Sequence, residues 1–423
     1  MEHPLPSPPS APPRPWRHIV GIFASGAASV ILLLGVTLWY VWNNPGARQP
    51  ARRAQKDAEL LQARSQHLQE ALQQSRADRV RLVESVHATQ RVDANYTVDF
   101  LILSGGGDRG AFASGFLRGW TKVPPGPMAR PVFEGVSGVS TGGLIAPSAF
   151  LGTTQDAEAI DNLFRHPQPD WLVPSGRFFF HPENASLARI PGLKREIDSY
   201  VDLPFARRLV EAGVTGRQLL IQATDADEGS SHTFDCVALA RKAVETGDVQ
   251  PLRQVLLATS AIPGVFPPQK IQNELFLDGI LTGNIFYGFF EGALAQGETF
   301  GAMWKQRYPG EPIPKIRYWV IINNYLKAPV MTVQPKWLPV AQRGLEIATR
   351  AFTEITLRHL YLFSEVNRLR GDGECEVRWV AVPPTWGQSS PQAAPFSMEV
   401  MQSLSDLGQR LGENPDSWIA VSP

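Results

Sequence analysis

A chain of 423 residues is too long for a minimal scaffold; at roughly 150 residues per domain it makes two or three units, or one large α/β domain with appendages. Its 40 basic and 40 acidic residues cancel and aromatics reach 9%, so the chain has neither the charge excess of a disordered tract nor the basic field of a nucleic-acid binder. Cys236 and Cys375 are the only cysteines. They stand far apart, with no Cys or His neighbour at ligand spacing, and so encode neither a disulfide framework nor a zinc site.

Residues 1–18 carry Pro4, Pro6, Pro8, Pro9, Pro12, Pro13 and Pro15. Proline removes helical donors and clashes with the preceding turn, so this segment is expected to be a disordered tail. Ile19–Trp42 follows without a single charge, and at about 1.5 Å per residue it is long enough to cross a roughly 30 Å hydrocarbon layer as a transmembrane helix. Trp16 before it and Trp39, Tyr40 and Trp42 at its far end suit the two headgroup zones. A buried core helix and a cleaved signal peptide are the competing readings. A signal's apolar stretch is about 7 to 15 residues and ends at a small-residue site, whereas this one is longer and runs into Asn43, Asn44 and Pro45. Arg14 and Arg17 precede the span and Arg48, Arg52, Arg53 and Lys56 follow it, a bias that predicts a cytoplasmic C-terminal side, with the domain that follows.

Residues 43–92 form the next region, with no Gly or Pro from 51 onward and many Ala, Gln, Arg and Glu, the composition of a long exposed helix. Ala54, Ala58, Leu61, Leu68, Leu72, Leu82 and Val86 follow a 4-3 spacing that Ser65, Ser75 and Arg79 interrupt. A parallel coiled coil, and with it a homo-oligomer, is one reading of this helical stalk. A single amphipathic helix lying on the following domain or on the bilayer is the other.

From residue 93 to 423 short apolar runs punctuated by glycine alternate with helix-length stretches, the pattern of an α/β domain. Its first motif is the apolar run Val98–Ser104, then Gly105-Gly106-Gly107-Asp108-Arg109-Gly110, then a helical stretch. Backbone N–H groups at such a strand-to-helix turn bind negative charge, either a dinucleotide pyrophosphate or the oxyanion of a tetrahedral intermediate. The nucleotide reading wants an acid at the end of the next strand. That strand, expected over Pro131–Ser137, has Glu134 in its middle and ends in Val136 and Ser137. Arg109 either braces the loop or meets a phosphate group through its planar fork.

The second motif, Gly138-Val139-Ser140-Thr141-Gly142, is a G-x-S-x-G between a strand and a small-residue helix, the setting of a nucleophile elbow. Glycines flank the serine so that its Oγ stands exposed, which makes Ser140 the candidate nucleophile. The third is Glu274–Ile280, where Asp278 ends an apolar strand before Gly279 and is the candidate base. An Asp-Gly hairpin turn is the plainer reading of the same pair. A serine usually relies on a histidine steered by a carboxylate. Only His359 follows both Ser140 and Asp278, and it falls in the Pro-free stretch 340–370 that reads as one helix. A Ser140/Asp278 pair is therefore preferred to a Ser140, Asp278, His359 triad of the α/β-hydrolase type. A non-catalytic membrane scaffold is the remaining alternative.

With these motifs in order, the chain from about residue 98 onward resembles the patatin-like phospholipases. Gly105–Gly110 resembles the family's glycine-rich oxyanion loop, with Gly105, Gly106 and Gly107 as the oxyanion donors and Gly110 supporting the turn. Gly138–Gly142 resembles its nucleophile motif, Ala258–Pro268 the stretch before its last catalytic strand, and Asp278-Gly279 the start of its Asp-Gly-Gly/Ala motif. Ile280 stands where the family usually has Gly or Ala. The resemblance implies a three-layer domain around a central mixed, mainly parallel sheet, and a serine esterase acting on a lipid ester through a Ser–Asp dyad. It also implies no metal or organic cofactor.

Overall fold

The computed structural model describes residues 76–176, 185–289, 299–328, 330–389 and 396–423, together with positions 62 and 73. The tail, the apolar segment Ile19–Trp42 and nearly all of 43–75 lie outside the described residues. Among the described residues no helix is long and apolar enough to cross a membrane.

The strands are β1 Thr97–Leu103, β2 Gly135–Val139, β3 Val173–Pro174, β4 Ala188–Arg189, β5 Gln218–Asp225, β6 Ser230–Asp235, β7 Gln269–Ile271, β8 Glu274–Asp278, β9 Lys315–Ile322 and β10 Cys375–Ala381. The helices are α1 (76–90), then α2 Gly110–Trp120, α3 Thr141–Leu151, α4 Thr154–Arg165, α5 Pro191–Tyr200, α6 Leu203–Ala212, α7 Cys236–Thr246, α8 Gln250–Thr259, α9 Phe300–Arg307, α10 Trp337–Arg370, α11 Pro384–Ser389 and α12 Met398–Gly412. The main sheet runs β10-β9-β1-β2-β5-β8-β7, with β6 also paired to β5. The pairings from β10 to β5 are parallel and those from β5 to β6, β8 and β7 antiparallel. This is the mixed, mostly parallel sheet that the family resemblance implies.

Strands covered on both faces must be apolar at consecutive positions, and their side chains still alternate between the two sides. In β1, Leu101 and Leu103 enter one core while Val98, Phe100 and Ile102 enter the other. The first core is closed by helices that include α2, α3, α4, α8 and α12, through residues such as Phe116, Phe150, Phe164, Val255 and Leu404. The second is closed by α1, α9 and α10 through Leu82, Val83, Val86, Trp304, Leu357 and Leu360. The C-terminal part of the stalk region is thus a helix seated on the domain. Burying each of its three aliphatic side chains contributes about 1.5–3 kcal/mol, and Asp78 on the same helix pairs with Arg241 at 3.0 Å.

Helices α2 and α12 cross at backbone contact, because a Cβ on Gly115 would stand 2.1 Å from the Ser405 carbonyl oxygen. The seam holds a buried carboxylate: Asp161 Oδ1 accepts from Ser114 Oγ at 3.0 Å and Ser405 Oγ at 2.6 Å, and Oδ2 lies 2.8 Å from the Arg118 guanidinium.

Two local expectations are corrected. The strand expected over Pro131–Ser137 begins only at Gly135 and runs to Val139. Pro131 has no N–H to pair, and the Glu134 carboxylate instead takes the Asp99 N–H at 2.6 Å and the Tyr96 hydroxyl. Nor is Asp278-Gly279 a hairpin turn. The β7–β8 hairpin turns at Gln272 and Asn273, both with positive φ (50° and 71°), the requirement of a two-residue primed turn. Asp278 instead closes β8 ahead of a 3-10 turn.

Candidate active site

Register explains how residues 138 positions apart in the chain come together. Strand β2 pairs with β5 as far as Val139↔Gln222. At the next residue of β5, β8 takes over with Ala223↔Asp278. Since β6 holds the other edge of β5 through both stretches, β2 and β8 share an edge end to end. The residue just past β2 therefore meets the last residue of β8.

Ser140 occupies that junction with φ 54° and ψ −127°, a conformation that costs a non-glycine residue about 1–3 kcal/mol and persists only where its surroundings impose it. Those surroundings are visible. The Ser140 N–H donates to Thr259 Oγ1 at 2.8 Å, and Thr259 Oγ1 donates to the Gln222 carbonyl at 2.6 Å. A Cβ on Gly138 would lie 2.4 Å from the Gly142 carbonyl oxygen, and one on Gly142 would lie 2.3 Å from that of Leu103, so the elbow closes only with bare backbone on both sides of the serine. Gly110 and Gly279 are confined in the same way, against Thr141 and the Gln222 carbonyl.

Ser140 Oγ donates to Asp278 Oδ2 at 2.7 Å, while Asp278 Oδ1 accepts from the Ile280 N–H at 3.0 Å. The side chain at position 280 is half-buried and its backbone serves the carboxylate, so an isoleucine fits where the family prefers Gly or Ala. Both members of the pair are buried. Burial raises the Asp278 carboxyl to about 7, against the opposing hydrogen bonds from Ile280 and Ser140. A carboxyl held near neutrality can take a proton from a hydroxyl and return it.

Beside this pair lies the glycine loop. The Gly105 N–H already donates to Asn284 Oδ1 at 2.8 Å, which corrects its expected place among the oxyanion donors. Among the described residues no protein acceptor takes the N–H of Gly106, of Gly107 or of Thr141, the first residue of α3. Gly107 has φ 62°, a left-handed conformation, and a Cβ on Gly106 would come within 2.1 Å of the Asn323 carbonyl oxygen. The loop is fastened on both flanks. Asn284 Nδ2 donates to Thr353 Oγ1 at 2.8 Å on α10. Asn323 donates from Nδ2 to the Ser104 carbonyl at 2.8 Å and accepts the Ala113 N–H at 3.0 Å. Thr141 Oγ1 donates to the Gly107 carbonyl at 2.9 Å, joining loop to elbow.

Arg109 takes the bracing position: its guanidinium reaches Asn324 Oδ1 at 3.3 Å, lies 3.8 Å from Glu346 and stands over the Tyr325 ring. His359 is exposed on α10 and hydrogen-bonded to the Tyr287 hydroxyl, whereas the partners of the Asp278 carboxylate are Ser140 and Ile280. Reading the sequence alone passes over Thr259, Asn284 and Asn323. Asn323 could have been noticed as a polar residue directly ending the apolar strand β9, whereas nothing near Asn284 marks it locally.

A cavity opens above Ser140 and Gly107, walled by Leu144, Phe164, Trp171, Leu193, Phe266 and Phe396. Its apolar walls suit an acyl chain and its floor supplies the hydroxyl. Among the described residues no group of three or more His, Cys, Asp or Glu side chains could hold a metal ion.

The family model for patatin-like phospholipases matches residues 101–289, a span that holds the glycine loop, the elbow, Asp278 and Asn284. No curated protein matches the chain. Among solved structures, it is similar to VipD from Legionella pneumophila at 11% identity and a TM-score of 0.34, over 76% of this chain and 67% of that one. A likeness of that size adds nothing to the family match. The glycine-rich turn, the strained serine and the strand-end aspartate therefore lie within the segment 101–289 that matches the patatin-like phospholipase model.

Proposed function

We propose that this protein is a membrane-anchored serine lipid acyl hydrolase in which Ser140 is the nucleophile and Asp278 its base. The observation that carries the reading is the 2.7 Å hydrogen bond from Ser140 Oγ to Asp278 Oδ2 at the floor of an apolar cavity. As Oγ attacks the ester carbonyl carbon, its proton passes to Asp278 Oδ2 and the carbonyl π electrons move onto oxygen. The N–H groups of Gly106 and Gly107 and the N-terminus of α3 at Thr141 supply donors for that oxyanion. Collapse of the tetrahedral species breaks the ester C–O bond, and the protonated Asp278 returns its proton to the departing alcohol. Water then attacks the acyl-enzyme by the same route, giving up its proton through Asp278 and restoring the Ser140 hydroxyl.

The segment Ile19–Trp42, placed across the bilayer with the domain on the cytoplasmic side, would hold the enzyme where ester lipids are concentrated. Phospholipids and lysophospholipids are the substrates this arrangement favours. The test is labelling and turnover in parallel. Wild type should react covalently with a fluorophosphonate and release fatty acid from defined liposomes, whereas Ser140→Ala should fold yet do neither. Retained labelling of Ser140→Ala would sink the assignment.

A further inference from the structure

Ser140 and Asp278 meet where β2 gives way to β8, and the segment that holds both ends belongs to neither strand. Helix α8 ends at Thr259, whose side chain is fully enclosed. Its Oγ1 accepts the Ser140 N–H at 2.8 Å and donates to the Gln222 carbonyl at 2.6 Å. Since Val139↔Gln222 is the last pair of β2 with β5, the hydroxyl extends that ladder by one rung with a side chain in series. Two bonds then stand where strands are normally joined by one of about 2.9 Å. The backbone can thereby leave the strand at Ser140, turn to φ 54°, and keep both its N–H and the facing carbonyl paired. The Thr259 methyl packs on Gly143 in the first turn of α3, where an added Cβ would lie 2.8 Å from it.

The same segment holds the second member of the pair. The Asp278 N–H donates to the carbonyl of Ala261, two residues beyond Thr259, at 2.9 Å. Elsewhere on its backbone, the Asp278 carbonyl accepts from Thr224 Oγ1 at 2.9 Å. One short stretch at the end of a helix thus ties down the main chain of both Ser140 and Asp278. A side chain needed only to fill this space could be valine, which has nearly the shape of threonine. Burying a hydroxyl costs free energy unless its bonds are made, and here its donor and an acceptor lone pair are both spent on main-chain groups of the elbow and of β5.

We propose that Thr259 is a positioning residue, which together with Ala261 forms a clamp at the end of α8 that fixes the separation between Ser140 Oγ and Asp278 Oδ2. The inference rests on the reading of Ser140 as nucleophile and Asp278 as base. Loss of the hydroxyl releases the Ser140 N–H while the tie from Asp278 to Ala261 stays, so the two groups shift relative to one another. A displacement of about 1 Å at a reacting atom can cost on the order of a hundredfold in rate. The effect falls on attack rather than on substrate binding, because Thr259 is not among the residues that wall the apolar cavity.

The test uses the full chain, a monomeric short-chain nitrophenyl ester and a fluorophosphonate. Thr259→Val exchanges the hydroxyl for a methyl and should lower kcat and the labelling rate by about tenfold to a hundredfold, with KM within about twofold. Thr259→Ser and Thr259→Ala both lack the methyl and differ only in the hydroxyl. Thr259→Ser should keep kcat within about threefold of wild type and Thr259→Ala should fall at least about tenfold below it, a comparison that serves even where the valine variant does not fold. A carboxyl NMR titration of Asp278, assigned by its absence from Asp278→Asn, reads the same geometry without turnover. Its midpoint should rise in Thr259→Val and stay in place in Thr259→Ser, because the bond from the Ser140 hydroxyl favours the ionised form and is loosened only in the former. Wild-type kcat and an unmoved midpoint in Thr259→Val would overturn the proposal. So would equal losses in Thr259→Ser and Thr259→Ala, which would assign the effect to the methyl. A wild type that turns over no ester would remove the hydrolase reading, and the titration would then decide the clamp alone: a midpoint that rises in Thr259→Val upholds it, and one that does not overturns it.

Discussion

Asp278→Asn exchanges a fully buried carboxyl for a neutral amide of nearly the same shape, and the Oδ1 that accepts the Ile280 N–H is kept. The gap between the ordinary carboxyl value of 3.8 and about 7 in the folded chain corresponds to about 4 kcal/mol against the ionised form. Because the folded-state value is raised, the native chain binds the proton more tightly than the unfolded one. The contribution of this group to stability is full below about pH 4, declines as pH rises through about 7, and is level beyond. The amide cannot titrate and shows no such decline. The advantage of Asp278→Asn over wild type should thus be about 2–3 kcal/mol greater at pH 8 than at pH 5, read by urea unfolding followed through tryptophan emission. An advantage that does not change between those pH values, or that reverses, would refute the argument that the carboxyl is destabilised by burial. As the proposed base, the same group should also set the pH dependence of hydrolysis. Wild-type kcat/KM should rise about tenfold per pH unit below about 7 and flatten above it, while Asp278→Asn loses hydrolysis throughout.

Asn284→Ala orphans the buried Gly105 N–H, which should cost about 1–3 kcal/mol in urea unfolding. It should also lower kcat by about tenfold or more with KM little changed, since the loop it holds carries the proposed oxyanion donors. His359→Ala should leave ester turnover within about twofold of wild type, because its partner is Tyr287 and a surface substitution of this kind acts weakly. A loss comparable to that of Asp278→Asn would revive a triad.

The α/β class and the paired residues Ser140 and Asp278 were legible in the one-dimensional chain, because each is announced locally. An apolar run that breaks into glycine marks a strand end, and a serine between glycines marks a turn that tolerates no side chains beside it. Local signals misled only where two structures share them. Asp278-Gly279 looks like a hairpin turn, and the chain instead turns at Gln272 and Asn273, of which only the asparagine is a residue that favours a left-handed backbone. Gly105 looks equivalent to Gly106 and Gly107 until Asn284, 179 positions away, is seen to take its N–H.

What residue order determined by itself is the set of chemical groups and the backbone freedom at each: a hydroxyl at a position without bulky neighbours, a carboxyl at a strand end, and a loop of bare amides. Tertiary structure decided which of them meet. The hand-over from β2 to β8 along a single edge of β5 sets Ser140 against Asp278, and packing removes water from the carboxyl and lifts its proton affinity towards neutrality. Pairing register and solvent exclusion are properties of segments brought together from distant parts of the chain, and no local stretch encodes either.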